Sequence, residues 1–242
     1  MPVCEWAVHR PRLDWEAMTE HSATALLLGA LTCGERLGAK RARDIVALAP
    51  DERARQEQER VADREDANAA LVAARLAEVG SPDLAGRFTP YYEAFYARTE
   101  PGDWIEAQTF HYVGDALVAE FAEELAGKVD TVSAEVVANA LGHREDLETF
   151  ALDELTRAME QNPGARDEIA RYARRISGEA LNQTRRALGD APALLDLLGG
   201  PEGEKKLLLQ LLESHRLRLD RLGIDLMDLD EDDEEDEEEF GA

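Results

Sequence analysis

Three acids and one histidine occupy positions that helical periodicity turns toward apolar faces. They are Glu35, Glu65, Asp115 and His143. An isolated charge is too costly to bury, so an acid in such a place is hydrogen-bonded, protonated, ion-paired or bound to a metal. Carboxylates and neutral imidazoles are ligands that suit iron or manganese. The pattern therefore predicts a buried site for iron, as one or two ions, with manganese as the alternative metal.

Asp115 lies in a stretch from Asp103 to Leu125 that is typical of one long helix. Most residues three, four and seven positions away from it are apolar, as expected for a stripe that faces a core. Tyr112 shares this stripe, so we expect its phenol beside the site, as a redox-active or hydrogen-bonding catalytic residue. His111 also shares it and is expected to pack in the core or to support a ligand from behind.

The other three groups lie on three further predicted helices. Prolines and glycines end each of these segments, because proline cannot continue a helix and glycine favours its termination. The predicted helices are residues 21–48 for Glu35, 51–79 for Glu65, and 133–161 for His143, the last with Ser133 as its N-cap.

The predicted fold class is all-α: a ferritin-like four-helix bundle with a long crossover and two additional C-terminal helices. The long crossover is residues 80–103, which we expect to contain at most one or two helical turns. Such a connection lets the second and third helices run in the same direction, as in ferritin-like bundles. The two additional helices are predicted at residues 165–188 and 202–222. No stretch shows the alternation of β-branched residues that favours a sheet.

We expect three segments along the chain: an irregular lead (1–20), a helical domain (21–223) and an acidic tail (224–242) that self-repulsion keeps disordered. The net charge is −25, and without the 11 acids at Asp228 and 230–239, 41 acids still face 27 bases. This balance disfavours nucleic acid and anionic membranes as partners. The longest apolar run, 23–31, is too short to span a bilayer. Two cysteines without metal-ligand spacing and no signal peptide favour a cytoplasmic protein.

The predicted ligand set is partly degenerate. Carboxylate-bridged two-metal sites take one Glu from each of two helices and a Glu-x-x-His pair from each of two others. Asn68 stands where Glu65 would need its histidine, and Ala140 stands where His143 would need its acid.

Several segments resemble an actinobacterial ferritin-like family that is similar to the tRNA-(2-methylthio-N6-isopentenyl adenosine) hydroxylase. The resemblance covers roughly residues 22–223 and rests on GALTCGERLGAKR, FYARTEPGDWIEAQTFHYVGDALVAEFAEELA, GHREDLE, RRISGEALNQTRR and ESHRLRLDRLG. It implies a ferritin-like fold and, in complete members, a non-haem di-iron centre that activates O2. Its ligand positions correspond here to Glu35, Glu65, Asp115 and His143.

Two functions follow as hypotheses. One is an iron-dependent, hydroxylase-like monooxygenase that acts on an unknown small substrate. The alternative is a metal-free helical scaffold or adaptor that binds a protein partner through its surface and acidic tail. Exposed apolar patches on the fifth and sixth predicted helices would favour a homodimer. His215, on the sixth helix, is interpreted as a packing and ion-pair residue.

Overall fold

A computed structural model describes residues 20–225, with side chains from residue 23 onward. The predictions for the N-terminal lead up to residue 19 and for the acidic tail from residue 226 lie outside these residues. Over the described range every regular element is helical and no strand is present, which confirms the all-α fold class. No helix within 20–225 is long and apolar enough to cross a membrane.

Helices α1 (Glu20–Ile45) and α2 (Glu52–Glu78) pack along each other and form the first half of the bundle. A 3-10 turn over Val46–Leu48 joins α1 to the connection that leads into α2. The Asp51 side chain caps α2 by accepting a 2.8 Å hydrogen bond from the backbone N–H of Ala54. This cap satisfies one of the otherwise unpaired N–H groups of the first turn, as the sequence predicts.

The connection after α2 contains a full helix, α3 (Ala85–Arg98), where the sequence predicted only one or two turns. That prediction was wrong because it gave too much weight to Pro90, which lies inside the helix. Pro90 removes one backbone hydrogen bond near the N-terminal end, whereas the buried rings of Phe88 and Phe95 attach α3 to the core. Helix α3 packs against α1 on one side and against α8 on the other.

The predicted helix from Asp103 to Leu125 is interrupted. It consists of α4 (Trp104–Thr109), a π-helical turn (Phe110–Gly114) and α5 (Asp115–Ala126). A π-helical turn takes one more residue than an α-helical turn, so residues before it are rotated relative to those after it. The periodicity of a regular helix therefore does not hold across this segment.

The fourth predicted helix is likewise two helices, α6 (Thr131–Leu141) and α7 (Arg144–Gln161). Gly142 and His143 separate them, and His143 is the N-cap of α7. The cap of α6 is Asp130, which accepts a 3.0 Å hydrogen bond from the backbone N–H of Ser133. The sequence had assigned the cap to Ser133, three residues too late.

Three helices complete the described chain: α8 (Ala165–Gly189), α9 (Pro192–Leu198) and α10 (Pro201–Arg221). Helix α8 lies across the bundle, where the Tyr172 hydroxyl donates a 2.6 Å hydrogen bond to the carbonyl of Thr99. The sequence did not predict the short helix α9. Its seven residues are too few for apolar periodicity to be recognised. One continuous apolar cluster links α1, α3, α5, α8 and α10.

Candidate functional site

A cavity of about 100 Å³ lies inside the bundle, and all four predicted ligands line it. Glu35 comes from α1, Glu65 from α2 and Asp115 from the first position of α5. His143 comes from the junction of α6 and α7. Asn68 and Ala140, which occupy the positions of the two missing ligands, line the same cavity, and Tyr92 and Tyr96 of α3 complete part of its wall.

Glu65 differs from the other two acids in its hydrogen bonding. Its Oε2 is buried and has no hydrogen-bond partner. Burial raises the pKa of Glu65 well above its usual range, and the neighbouring carboxylates of Asp115 and Glu35 raise it further. The guanidinium groups of Arg41 and Arg43 only partly oppose this effect. A buried carboxylate in this condition requires a proton or a cation.

Gly38 provides the space that the Glu65 carboxylate occupies. A Cβ atom at Gly38 would lie 3.1 Å from Cδ of Glu65 and closer still to Oε2. Any larger residue at this position of α1 would push the carboxylate out of its place. The position of the Glu65 carboxylate against α1 therefore depends on a glycine in the helix interior, where glycine otherwise lowers helix stability.

Glu35 faces the same cavity from α1 and is partly buried. Burial raises its pKa to about 7, and the Asp115 carboxylate adds to the increase. A hydrogen bond from the Asn68 side chain acts in the opposite direction by favouring the charged form. Asn68 thus interacts with the neighbouring acid at the position where a complete ligand set would have a histidine.

Asp115 is held in place by a buried chain of polar groups. Its Oδ2 lies 2.7 Å from Nδ1 of His111, and Nε2 of His111 lies 3.0 Å from Nε2 of Gln58. If Nδ1–H donates to the carboxylate, the bare Nε2 accepts from the amide of Gln58, so one tautomer satisfies both contacts. His111 therefore supports Asp115 from behind, as the sequence predicted.

The π-helical turn lies directly before Asp115 and includes His111. Such turns are frequent at functional sites. Gly114 permits the turn to pack, because a Cβ atom there would lie 3.1 Å from the ring of Phe110. The turn thus fixes the register between Asp115 and the residues that precede it.

This register places Tyr112 away from the cavity, contrary to its predicted catalytic position. Its side chain is fully buried, and its hydroxyl donates a 3.0 Å hydrogen bond to the carbonyl of Arg218 on α10. The sequence argument assumed an unbroken helix, in which residues three apart share a face. The tyrosines at the cavity wall are instead Tyr92 and Tyr96, which the sequence showed only as part of an aromatic run.

His143 lies at the exposed side of the cavity and is less enclosed than the acids. As the N-cap of α7 it is held by its backbone, whose carbonyl accepts a 3.0 Å hydrogen bond from Arg64. Its imidazole is therefore placed at the mouth of the cavity, and the three carboxylates lie deeper inside.

Residues 19–201 match the family described as a ferritin-like domain of actinomycetes. The chain belongs to this family. No curated protein matches the sequence. The ferritin-like match covers α1 to α9 and therefore includes every helix that contributes a predicted ligand.

The donor set of this ferritin-like protein is smaller than a two-metal site requires. A two-metal site of this fold takes four acids and two histidines, and here three acids and one exposed histidine surround the cavity. The unpartnered Oε2 of Glu65 and the mutual repulsion of the carboxylates are features that one cation would relieve. Among the described residues, no three His, Cys, Asp or Glu side chains converge closely enough to hold a metal ion as they stand. Binding would therefore require their side chains to turn inward.

Arg41 is a buried cation whose charge acts on the site, but its hydrogen bonds go elsewhere. Its guanidinium donates to the backbone carbonyls of Tyr96 and Thr99 and lies 3.8 Å from the centroid of the Phe110 ring. It lowers the pKa of Glu65 through its charge alone. Its charge therefore offsets only part of the effect of burial and of the neighbouring carboxylates on Glu65.

Proposed function

We propose that the protein binds a single iron ion, with manganese as the alternative metal, and supports hydroxylase-like chemistry at that site. Glu35, Glu65 and Asp115 would hold the ion, and His143 would reach it from the mouth of the cavity. One observation carries the proposal: three carboxylates from three helices surround one cavity, and a buried oxygen of Glu65 is left without a partner.

Bound iron would supply the activation of O2 that hydroxylation requires. The surrounding residues of the chain would prepare the site for it. His111 keeps one oxygen of Asp115 engaged and so fixes the orientation of that carboxylate. Burial raises the pKa of both Tyr92 and Tyr96, so these phenols stay protonated and can donate hydrogen bonds at the cavity wall.

Metal analysis of protein purified from an iron-supplemented culture tests this proposal. The expected result is close to one iron per chain in the wild type and in Glu59→Gln, an exposed acid of α2 that pairs with Arg55. Glu65→Gln should lose most of the metal. Metal-free wild type, or equal metal in Glu65→Gln, would refute the proposal.

A second candidate is a metal-free scaffold or adaptor that binds a protein partner. It is favoured by the absence of a converged metal-binding group among the described residues and by the exposure of His143. A double variant, Glu35→Ala with Asp115→Ala, separates the two functions. A scaffold would keep its fold and its partner, whereas a metalloprotein would lose its iron.

The resemblance to the tRNA hydroxylase suggests tRNA as the substrate. A separate experiment tests this suggestion. The sequence's excess of acids disfavours a polyanion. We expect a small substrate instead of tRNA. The protein should therefore cause no electrophoretic mobility shift of tRNA at low salt. A retarded tRNA band that higher salt abolishes would restore the tRNA-directed function.

A further inference from the structure

A second cavity, of about 80 Å³, lies next to the carboxylate cavity. It is enclosed by α1, α3, α5, α8, α9 and α10, and nearly all of its wall is hydrocarbon. The buried part of that wall includes Ala30, Phe88, Phe95, Leu117, Leu188 and Leu211. Phe121 of α5 and Leu181 of α8 are partly exposed, so the cavity reaches the surface between these two helices.

Two polar side chains that line this apolar cavity, Tyr91 and Gln183, are engaged with other protein groups. The Tyr91 hydroxyl donates to Asp190. The amide of Gln183 donates to Glu179, and its carbonyl oxygen accepts a 2.9 Å hydrogen bond from Arg186. A polar ligand would therefore find few partners here, and desolvating it would cost free energy. An apolar ligand would meet no such cost.

The apolar cavity and the carboxylate cavity share part of their walls. Tyr92 and Val118 line both of them. The phenol end of Tyr92 lies over α1, where its hydroxyl oxygen would be 2.7 Å from a Cβ atom at Gly34. Gly34 itself lines the carboxylate cavity. A molecule in the apolar cavity would therefore be separated from the acids by the Tyr92 and Val118 side chains.

We propose that the apolar cavity binds a slender aliphatic chain and holds its end against the Tyr92 and Val118 wall that the cavity shares with the carboxylate cavity. Its volume is about half that of the apolar cavity of roughly 150 Å³ that accepts benzene, so a straight chain of a few carbons fits better than a ring. That the aliphatic ligand belongs to the substrate rests on the proposed function. Its binding in the apolar cavity requires no metal.

Methyl NMR of the full chain, titrated with 1-pentanol, tests the binding. The methyl signals of Val118 and Leu188 should shift and saturate. The same concentration of 1,5-pentanediol should have little effect, because a second hydroxyl would be buried without a partner. Ala180→Leu fills the cavity from α8 and should weaken pentanol binding at least about ten-fold. Ala74→Leu, on an exposed position of α2, is the matched control and should bind as the wild type does.

Unshifted Val118 and Leu188 signals would overturn the proposal, and so would equal binding of pentanol and the diol. Equal affinity in Ala180→Leu would also overturn it, provided that thermal unfolding shows the variant to be folded. Glu65→Gln distinguishes this proposal from the metal site. Pentanol binding that persists in Glu65→Gln supports the apolar cavity even if no iron is found, whereas its loss there would contradict a separate apolar site.

Discussion

Replacing Glu35 by Gln should stabilise the metal-free protein at alkaline pH and have little effect at acid pH. Burial raises the pKa of Glu35 from 4.5 to about 7, so the folded state keeps a proton that the unfolded state releases as the pH passes 4.5. The folded state binds more protons in this window, so stability falls as the pH rises from 4.5 to about 7. A glutamine is neutral throughout and avoids this loss.

The size of the effect follows from the shift. At about 1.36 kcal/mol for each pKa unit, the gain should approach about 3 kcal/mol near pH 8 and stay below about 1 kcal/mol near pH 5. Urea unfolding with a chelator present measures it, and an unchanged m-value shows that the same surface is exposed. Glu59→Gln should change stability by no more than about 0.5 kcal/mol at either pH.

Metal binding should respond to Glu35→Gln with the opposite sign. Loss of one carboxylate should weaken iron affinity at least about ten-fold while the metal-free protein becomes more stable. This combination is expected where a functional site stores electrostatic strain. A stability difference between variant and wild type that is the same at pH 5 and pH 8, or a variant less stable than the wild type at pH 8, would refute the account of Glu35.

Two further predictions concern Gly38 and His215. Gly38→Ala should weaken metal binding, because its Cβ takes the space of the Glu65 carboxylate. Gly86→Ala, with no atom in reach, should leave metal binding unchanged and add up to about 1 kcal/mol of stability. His215 is 2% exposed, neither of its ring nitrogens has a partner, and burial lowers its pKa to about 4. The unfolded state therefore binds more protons between pH 6.5 and 4, and this residue should cost about 2 kcal/mol of stability between pH 7 and 5. His215→Leu should remove that loss, and an identical pH dependence in wild type and variant would contradict it.

The sequence predicted the bundle because its main signals are local. Apolar periodicity and stop signals located α1, α2, α8 and α10 to within a few residues. It also placed Glu35, Glu65 and Asp115 on inward faces of three separate helices, and the structure brings all three to one cavity. That they bind a metal stays a prediction.

The errors arose where the backbone departs from a regular helix. The π-helical turn before Asp115 has no clear sequence signal. It directs the Tyr112 side chain toward α10, where the hydroxyl donates to the carbonyl of Arg218. The break at Gly142 divided the fourth helix and left His143 at an exposed cap. The roles of Tyr92 and Tyr96 depend on how α3 crosses α1, which is a tertiary property that periodicity does not contain.

X-ray diffraction from crystals soaked in ferrous iron, recorded above and below the iron absorption edge, tests the central claim most directly. We predict one anomalous peak per chain inside the carboxylate cavity, within coordination distance of Glu35, Glu65 and Asp115. No peak in the cavity, or two peaks bridged by the carboxylates, would contradict a single-ion site.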